Sequence, residues 1–160
     1  MRLGSRALGL ALVLGPIGAV RPVPAEYLAW GACDLVTREE ASTALGVPVP
    51  VGSEKAMDLP LQGASIPAQY CFYGTEVIVA RFELGASAES VFGQYRQSLA
   101  SESGYQAVEG VGDEAFIAKG QLAARKGQTG LIIDVGQARG GGAKEVEAEK
   151  TLAKHAFGRM

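Results

Sequence analysis

The sequence has few of the residues from which most enzyme sites are built. Its 160 residues include one histidine, His155, one tryptophan, Trp30, and two cysteines. A single histidine leaves most Ser–His and metal-ligand sets incomplete, and no Gly-x-Ser-x-Gly segment offers a nucleophile. The sequence therefore predicts no catalytic residues, no metal site and no cofactor.

The sequence also lacks an apolar run long enough to be a typical membrane-spanning helix. Residues 7–20 are almost wholly apolar, but about 14 residues fall short of the roughly 20 that a span needs. Two arginines precede this run, and Val23-Pro24-Ala25 places small residues where a signal peptidase cleaves. We therefore expect residues 1–25 to be a signal peptide and residues 26–160 to be a single exported domain, periplasmic or extracellular. A retained membrane anchor is the alternative.

Charge of one sign does not dominate the chain. The predicted leader contains three arginines and no acid, so its removal lowers the basic count from 15 to 12 against 17 acidic side chains, a net charge of −5. No five consecutive residues carry like charges. Nucleic acids and anionic membranes attract basic patches. We therefore expect no nucleic acid among the partners, and no membrane span once the leader is removed.

The two cysteines, Cys33 and Cys71, are the clearest structural signal that is present. An even number of cysteines in an oxidising compartment is usually paired, and two cysteines allow one intramolecular connectivity. We expect a disulfide that contributes about 4 kcal/mol by closing a long loop. A reactive or metal-binding pair is the alternative, and the 38-residue separation is unlike a Cys-x-x-Cys motif.

Three segments have the patterns of helices. Residues 37–45 begin with Thr37 and Glu40 at capping-box spacing and end before a glycine. Apolar side chains recur at helical spacing in residues 87–100. Residues 143–157 have acids early and lysines late, which suits the helix dipole.

The segments between the helices are predicted to be strands. They are residues 69–73, 76–84, 115–118, 122–126 and 131–135, with an edge strand near Val49 as a possible sixth. Short glycine-containing joins indicate antiparallel hairpins, and alternating side chains indicate a sheet with one covered face. The predicted fold class is α+β, a single antiparallel sheet of about five or six strands with three helices, in the order α-βββ-α-βββ-α. The two similar halves suggest duplication, without a repeat at the level of residues.

Three short motifs carry a resemblance. Cys33-Asp34-Leu35-Val36-Thr37 opens the domain, Cys71-Phe72-Tyr73 follows in a strand, and Gly110-Val111-Gly112-Asp113-Glu114-Ala115 precedes another strand. With these motifs in this order, residues 33–157 resemble a family of uncharacterised bacterial secreted proteins and lipoproteins. The resemblance implies a compact α+β domain with a Cys33–Cys71 disulfide and implies no activity. Members often have a lipidation cysteine just upstream, which this chain lacks, so we do not expect a lipid anchor.

Two glycine-rich segments are candidates for phosphate binding. Residues 110–115 precede a strand, whereas a phosphate loop leads into a helix. Gly140-Gly141-Gly142 precedes a helix, but the Gly-Lys-Ser/Thr ending of a P-loop does not follow. We expect a turn at the first segment and a connector at the second.

The ionisable residues give no persuasive catalytic set. His155 is expected to be a solvated residue on the helix flank, or a partner of the helix dipole, rather than a general base. Glu39, Glu40 and the acids of the third helix are expected on solvated helix surface. Asp113 and Glu114 are adjacent, so in a strand they would point to opposite faces.

Three aromatic residues, Trp30, Tyr70 and Tyr73, lie near the cysteines in sequence. We expect them to pack around the disulfide, and a ligand-contacting patch is the alternative because Trp and Tyr are enriched at binding surfaces. We predict a non-catalytic binding or sensor-type module whose partner is an envelope or extracellular protein or a small ligand. A secreted proteinaceous inhibitor of an enzyme is the alternative, by fold-level analogy with secreted β-lactamase inhibitors. A small hydrolase is a lesser one.

Overall fold

A computed structural model describes residues 31–61, 63–136 and 142–160. The predicted signal peptide and Trp30 lie outside these residues. The helices are α1 (Ala32–Leu35), α2 (Arg38–Leu45), α3 (Ala88–Leu99) and α4 (Ala143–Arg159). The strands are β1 (Ser53–Leu61), β2 (Ala64–Tyr73), β3 (Val77–Glu83), β4 (Gln106–Val108), β5 (Glu114–Ala118), β6 (Gln121–Lys126) and β7 (Thr129–Val135).

The strands form one open antiparallel sheet in the order β1-β2-β3-β7-β6-β5-β4. The predicted class, α+β with a single antiparallel sheet, is confirmed. The predicted counts of five or six strands and three helices are wrong, because the described residues contain seven strands and four helices. The helix predicted at residues 37–45 is α2, and the additional helix is α1, separated from α2 by Val36, which is extended with φ −132° and ψ 128°.

Helices cover both faces of the sheet, which corrects the prediction of one covered face. Helices α1, α2 and α4 pack on one face, here called the α4 face, with Val79, Leu122 and Ile133 among the buried side chains. Helix α3 packs on the other, the α3 face, where Phe92 lies against Phe116. The alternation predicted for β3 is present, but each of its faces has buried side chains, Val77 and Val79 on one and Ala80 and Phe82 on the other.

The sheet is symmetric in strand order, but the helices are not. The triplets β1-β2-β3 and β5-β6-β7 lie at equivalent positions about the β3–β7 pair. Helices α2 and α3 precede these triplets, yet α2 lies on the α4 face and α3 on the opposite face. A two-fold axis normal to the sheet would keep both helices on one face, so the helices do not support duplication.

The disulfide joins Cys33 in α1 to Cys71 in β2, as predicted. The adjoining extended residue, Val36, is buried, and its carbonyl accepts a hydrogen bond from the Tyr73 hydroxyl. The β2 strand therefore holds the α1 segment by a covalent bond and a hydrogen bond. Among the residues that the structure describes, no helix is long and apolar enough to cross a membrane.

The predicted cap of α2 is confirmed in its atomic contacts. The Thr37 hydroxyl accepts a hydrogen bond from the Glu40 N–H at 3.2 Å, and the Glu40 carboxylate accepts one from the Thr37 N–H at 2.8 Å. Gly46 ends the helix in the left-handed region, with φ +69°. This reciprocal cap satisfies two backbone donors that the first turn of a helix leaves without partners.

The segment before β5 is a turn, as the sequence predicted. Its Asp113 N–H donates to the Arg125 carbonyl at 2.7 Å, and the Asp113 carboxylate accepts from the Gly127 N–H at 2.7 Å. Gly110 and Gly112 both have positive φ, at +74° and +60°. The glycines therefore serve the turn geometry, and the segment leads into a strand.

Candidate binding surface

The structure separates the two tyrosines that the sequence singled out. Tyr73 lies in the core of the α4 face and is 2% exposed. Burial, assisted by the nearby Glu40 carboxylate, raises the pKa of Tyr73 to about 12. Tyr73 therefore fills the core beside the disulfide and does not present a surface to a ligand. Trp30, the third predicted contact residue, lies outside the described residues.

Tyr70 lies on the opposite face, where it belongs to an aromatic pair. Its ring stacks on Phe72 with 5.8 Å between centroids and 12° between planes. Both side chains are half-buried. Burial raises the pKa of Tyr70, and burial together with the charge of Tyr70 raises the pKa of Tyr95 in α3. Tyr70 therefore lies at the edge of the area that α3 covers.

Phe72 continues the surface beyond α3. Its cross-strand partner in β3 is Ile78, whose partner in β7 is Asp134. The Asp134 carboxylate accepts a hydrogen bond at 2.8 Å from the Gln121 side chain in β6. Phe72, Ile78, Asp134 and Gln121 are all partly exposed. This end of the α3 face thus places an aromatic ring, an aliphatic side chain and a hydrogen-bonded polar pair in one row.

Lys55 borders this row from β1. Its ammonium nitrogen lies 5.5 Å from the centroid of the Phe72 ring, within cation–π distance. We call the surface formed by Lys55, Tyr70, Phe72, Ile78 and Asp134 the open face.

From the sequence, Phe72 is recognised only as part of a motif. Its period-two spacing from Tyr70 is the signal that places both on the side of β2 opposite Cys71 and Tyr73.

An ion cluster on the other side of the sheet joins α2 to α4. Arg159 donates hydrogen bonds of 2.7 and 2.9 Å to the two carboxylate oxygens of Glu40, and His155 Nδ1 lies 3.0 Å from Oε1. Burial would raise the pKa of Glu40, but the bonds from Arg159 and Thr37, with the charges of Arg159 and His155, lower it. The prediction of a solvated Glu40 is wrong, and His155 is a partner of that acid.

An open groove of about 810 Å³ lies between the same two helices. The lining residues are Glu39, Glu40, Thr43, Ala44, Ala143, Lys144, Glu147, Ala148, Thr151 and His155. Small alanines form part of its lining, and two of its acids are already paired, Glu40 with Arg159 and Glu147 with Lys150. The groove therefore has space for a ligand, but much of its polar lining is already engaged within the protein.

We expect Glu40→Gln to lower the free energy of unfolding at pH 7 by about 1–2 kcal/mol, because it weakens the bonds from Arg159 and His155. The folded-state pKa of Glu40 is lowered, so its contribution is present above about pH 4.5 and is lost as the pH falls through the folded pKa. Urea denaturation at pH 7 and pH 3 measures both effects, and the difference between wild type and variant should shrink at pH 3.

Glu39→Gln is the matched control, since Glu39 is the neighbouring acid and is exposed. It should leave stability at pH 7 within about 0.5 kcal/mol of wild type. Equal losses in the two variants would contradict a specific role for the Glu40 cluster.

Comparisons with models of protein families, with curated proteins and with solved structures find no match for this chain. The resemblance carried by the three short motifs therefore stays a prediction.

Proposed function

We propose that this protein is an exported, non-catalytic binding module and that its open face covers a partner protein. The observation that carries the proposal is the position of Phe72 and Ile78. Both are large apolar side chains, both are partly exposed, and neither belongs to the two packed cores. Contiguous apolar surface of this kind commonly marks an interaction site. The Cys33–Cys71 disulfide is compatible with export.

The shape of the open face favours a protein over a small molecule. Its residues lie side by side on one face of neighbouring strands, and such cross-strand rows present an extended surface. Small ligands usually bind in concave sites that bury most of their surface. Aromatic residues on a broad surface are typical of the centres of protein interfaces.

The borders of the open face indicate the charge that a partner would present. Lys55 provides a cation at the β1 side, and Asp134 provides a carboxylate at the β7 side. The fitting partner has an apolar centre between an acidic group facing Lys55 and a basic group facing Asp134.

The chemistry of this surface supports binding rather than turnover. His155, the only histidine of the chain, lies in α4 on the other side of the sheet, paired with Glu40. At the open face, stacking, cation–π contact and hydrogen bonding are the available interactions. An enzyme is one class of protein that such a face could cover, which is the inhibitor alternative.

The test uses the immobilised, disulfide-bonded domain in an envelope extract of the organism that produces it. Wild type should retain a partner that the double variant Phe72→Ala/Ile78→Ala does not retain. With the purified partner, the double variant should bind at least tenfold more weakly, since losing two apolar contacts costs more than about 1.4 kcal/mol. Inhibition of a captured enzyme at one-to-one ratio would identify the inhibitor alternative.

Met160→Ala is the matched control, because Met160 is also an exposed apolar residue, at 41%, and lies at the end of α4 on the other side of the sheet. This variant should bind as wild type does. Unchanged affinity of the Phe72→Ala/Ile78→Ala variant for the captured partner would contradict the proposal.

A further inference from the structure

Glu149 is a buried acid in a helix whose acids the sequence placed on the surface. It is 1% exposed, and among the described residues it is the only polar or charged side chain in the buried class. One carboxyl oxygen accepts a hydrogen bond of 3.3 Å from the Val135 N–H at the end of β7. The other, Oε2, has no hydrogen-bond partner within the part of the chain that the structure describes.

The surroundings of Glu149 disfavour a negative charge. Burial is the largest cause that raises its pKa, and the nearby carboxylates of Glu145, on the same helix, and Asp134, on β7, add to it. The backbone N–H groups of Val135 and of Leu122 in β6 act in the opposite direction, and each has a smaller effect than burial. The resulting pKa of Glu149 is about 8, so the carboxyl group is mostly protonated at pH 7.

The two halves of α4 are held to the sheet very differently. The C-terminal half buries Leu152, Ala153, Ala156 and Phe157, and the Lys126 ammonium donates to the Phe157 carbonyl at 2.7 Å. Arg159 adds the bonds to Glu40 described above.

The N-terminal half buries only Ala148 and Glu149. It begins at Gly142, which provides no side-chain hydrogen bond to cap the helix. Glu149 is therefore the largest fully buried side chain of this half, and Val146 packs partly buried against the same core. The same half contributes Lys144, Glu147 and Ala148 to the groove between α2 and α4.

We propose that Glu149 holds the N-terminal half of α4 on the sheet only while its carboxyl group is protonated, so that loss of the proton releases this half and widens the groove. Release exposes the carboxylate to water, where its ordinary pKa of 4.5 applies. The inference is independent of the open face, which lies on the other side of the sheet.

The direction of the pH effect follows from the two pKa values of Glu149. In the closed form, with the N-terminal half of α4 on the sheet, Glu149 has the raised pKa, and in the released form it has the ordinary one. Between about pH 4.5 and pH 8, Glu149 is therefore protonated in the closed form and ionised in the released form. The equilibrium constant for release therefore rises about tenfold for each pH unit in this window. It is lowest below pH 4.5 and levels off above pH 8.

Amide hydrogen exchange by NMR, corrected for intrinsic exchange rates, measures this equilibrium directly. In the wild-type domain, protection factors for residues 147–150 should fall about a hundredfold between pH 5.5 and pH 7.5. Those for residues 153–157 should stay within about threefold. In Glu149→Gln, which keeps the shape of the side chain without its charge, residues 147–150 should show the same protection at both pH values.

Glu147→Gln is the control, because Glu147 is an exposed acid on the same half of the helix. In this variant the protection factors of residues 147–150 should fall between pH 5.5 and pH 7.5 as they do in wild type. Equal decreases in the protection factors of residues 147–150 and 153–157 would overturn the inference, because the proton would then act on global unfolding. Wild-type protection factors that do not change with pH would also overturn it.

A carboxyl ¹³C titration of the unmodified protein keeps the inference testable if Glu149→Gln does not fold. A midpoint near pH 8 for Glu149 supports the inference, and a midpoint near pH 4.5 overturns it.

Discussion

Replacing both cysteines, in Cys33→Ala/Cys71→Ala, should lower the free energy of unfolding by about 4 kcal/mol. The disulfide spans 38 positions, and a cross-link that closes a loop of this size restricts the unfolded chain by about that amount. For a domain of about 130 residues the thermal midpoint should fall by more than about 10 °C. Cys71 is fully buried, so the loss of its sulfur also leaves a small cavity.

A reducing agent provides the control for the disulfide. Dithiothreitol should lower the melting temperature of wild type toward that of the double variant, because both proteins then lack the cross-link. It should leave the double variant unchanged. A double variant that melts at the wild-type temperature would contradict a stabilising Cys33–Cys71 bond.

Gly112→Ala should destabilise the domain by about 2–5 kcal/mol. Gly112 has φ +60°, which costs a residue with a Cβ about 1–2 kcal/mol. A Cβ there would also overlap the Arg125 carbonyl oxygen and lie 3.0 Å from the Phe157 ring. The Arg125 carbonyl cannot move without disturbing its 2.7 Å hydrogen bond from the Asp113 N–H. Overpacking against backbone adds about 1–3 kcal/mol.

Gly110→Ala separates the two contributions. Gly110 has φ +74°, but a Cβ at this position would meet no atom within 4 Å. Its substitution should therefore lower the free energy of unfolding only by the cost of a positive φ, about 1–2 kcal/mol. Urea denaturation of the two variants measures the difference. Equal losses at Gly110 and Gly112 would contradict the close approach of Gly112 to the Arg125 backbone.

The sequence was most informative where a local pattern had one physical solution. Thr37 and Glu40 have the spacing of a capping box, and the structure contains both of its hydrogen bonds. The short joins between β5, β6 and β7 allow little besides antiparallel hairpins, and these are present. Such patterns need only neighbouring residues, so they can be recognised without knowledge of the tertiary fold.

The elements that were missed lack a local pattern. Strand β4 has three residues and α1 has four, which is too short for a periodicity to be recognised. Strand β1 is exposed along most of its length, so neither of its faces shows an apolar alternation. The sequence predicts an edge strand near Val49, and the edge strand β1 begins at Ser53. Strand β4 is held by pairing with β5, β1 by pairing with β2, and α1 by the disulfide to β2, so each conformation depends on a partner element.

The positions of the candidate site residues depend even more on contacts between elements that are distant in sequence. Tyr70 and Tyr73 are close in sequence, yet an odd spacing places them on opposite faces of β2. Asp134 joins Phe72 only through the pairing of β2, β3 and β7. Glu149 lies three and four residues before Leu152 and Ala153, so helical spacing places it on the buried face of α4, but an acid at such a position gives no apolar signal.

NMR cross-saturation from the captured partner tests the binding surface most directly. Saturation of the partner should reduce the signals of the Phe72 ring and the Ile78 methyl groups in the labelled domain. The methyl groups of Ala44 and Ala148, which line the groove between α2 and α4, should keep their intensity. Loss of signal at these two alanines, with Phe72 and Ile78 unaffected, would contradict binding through the open face.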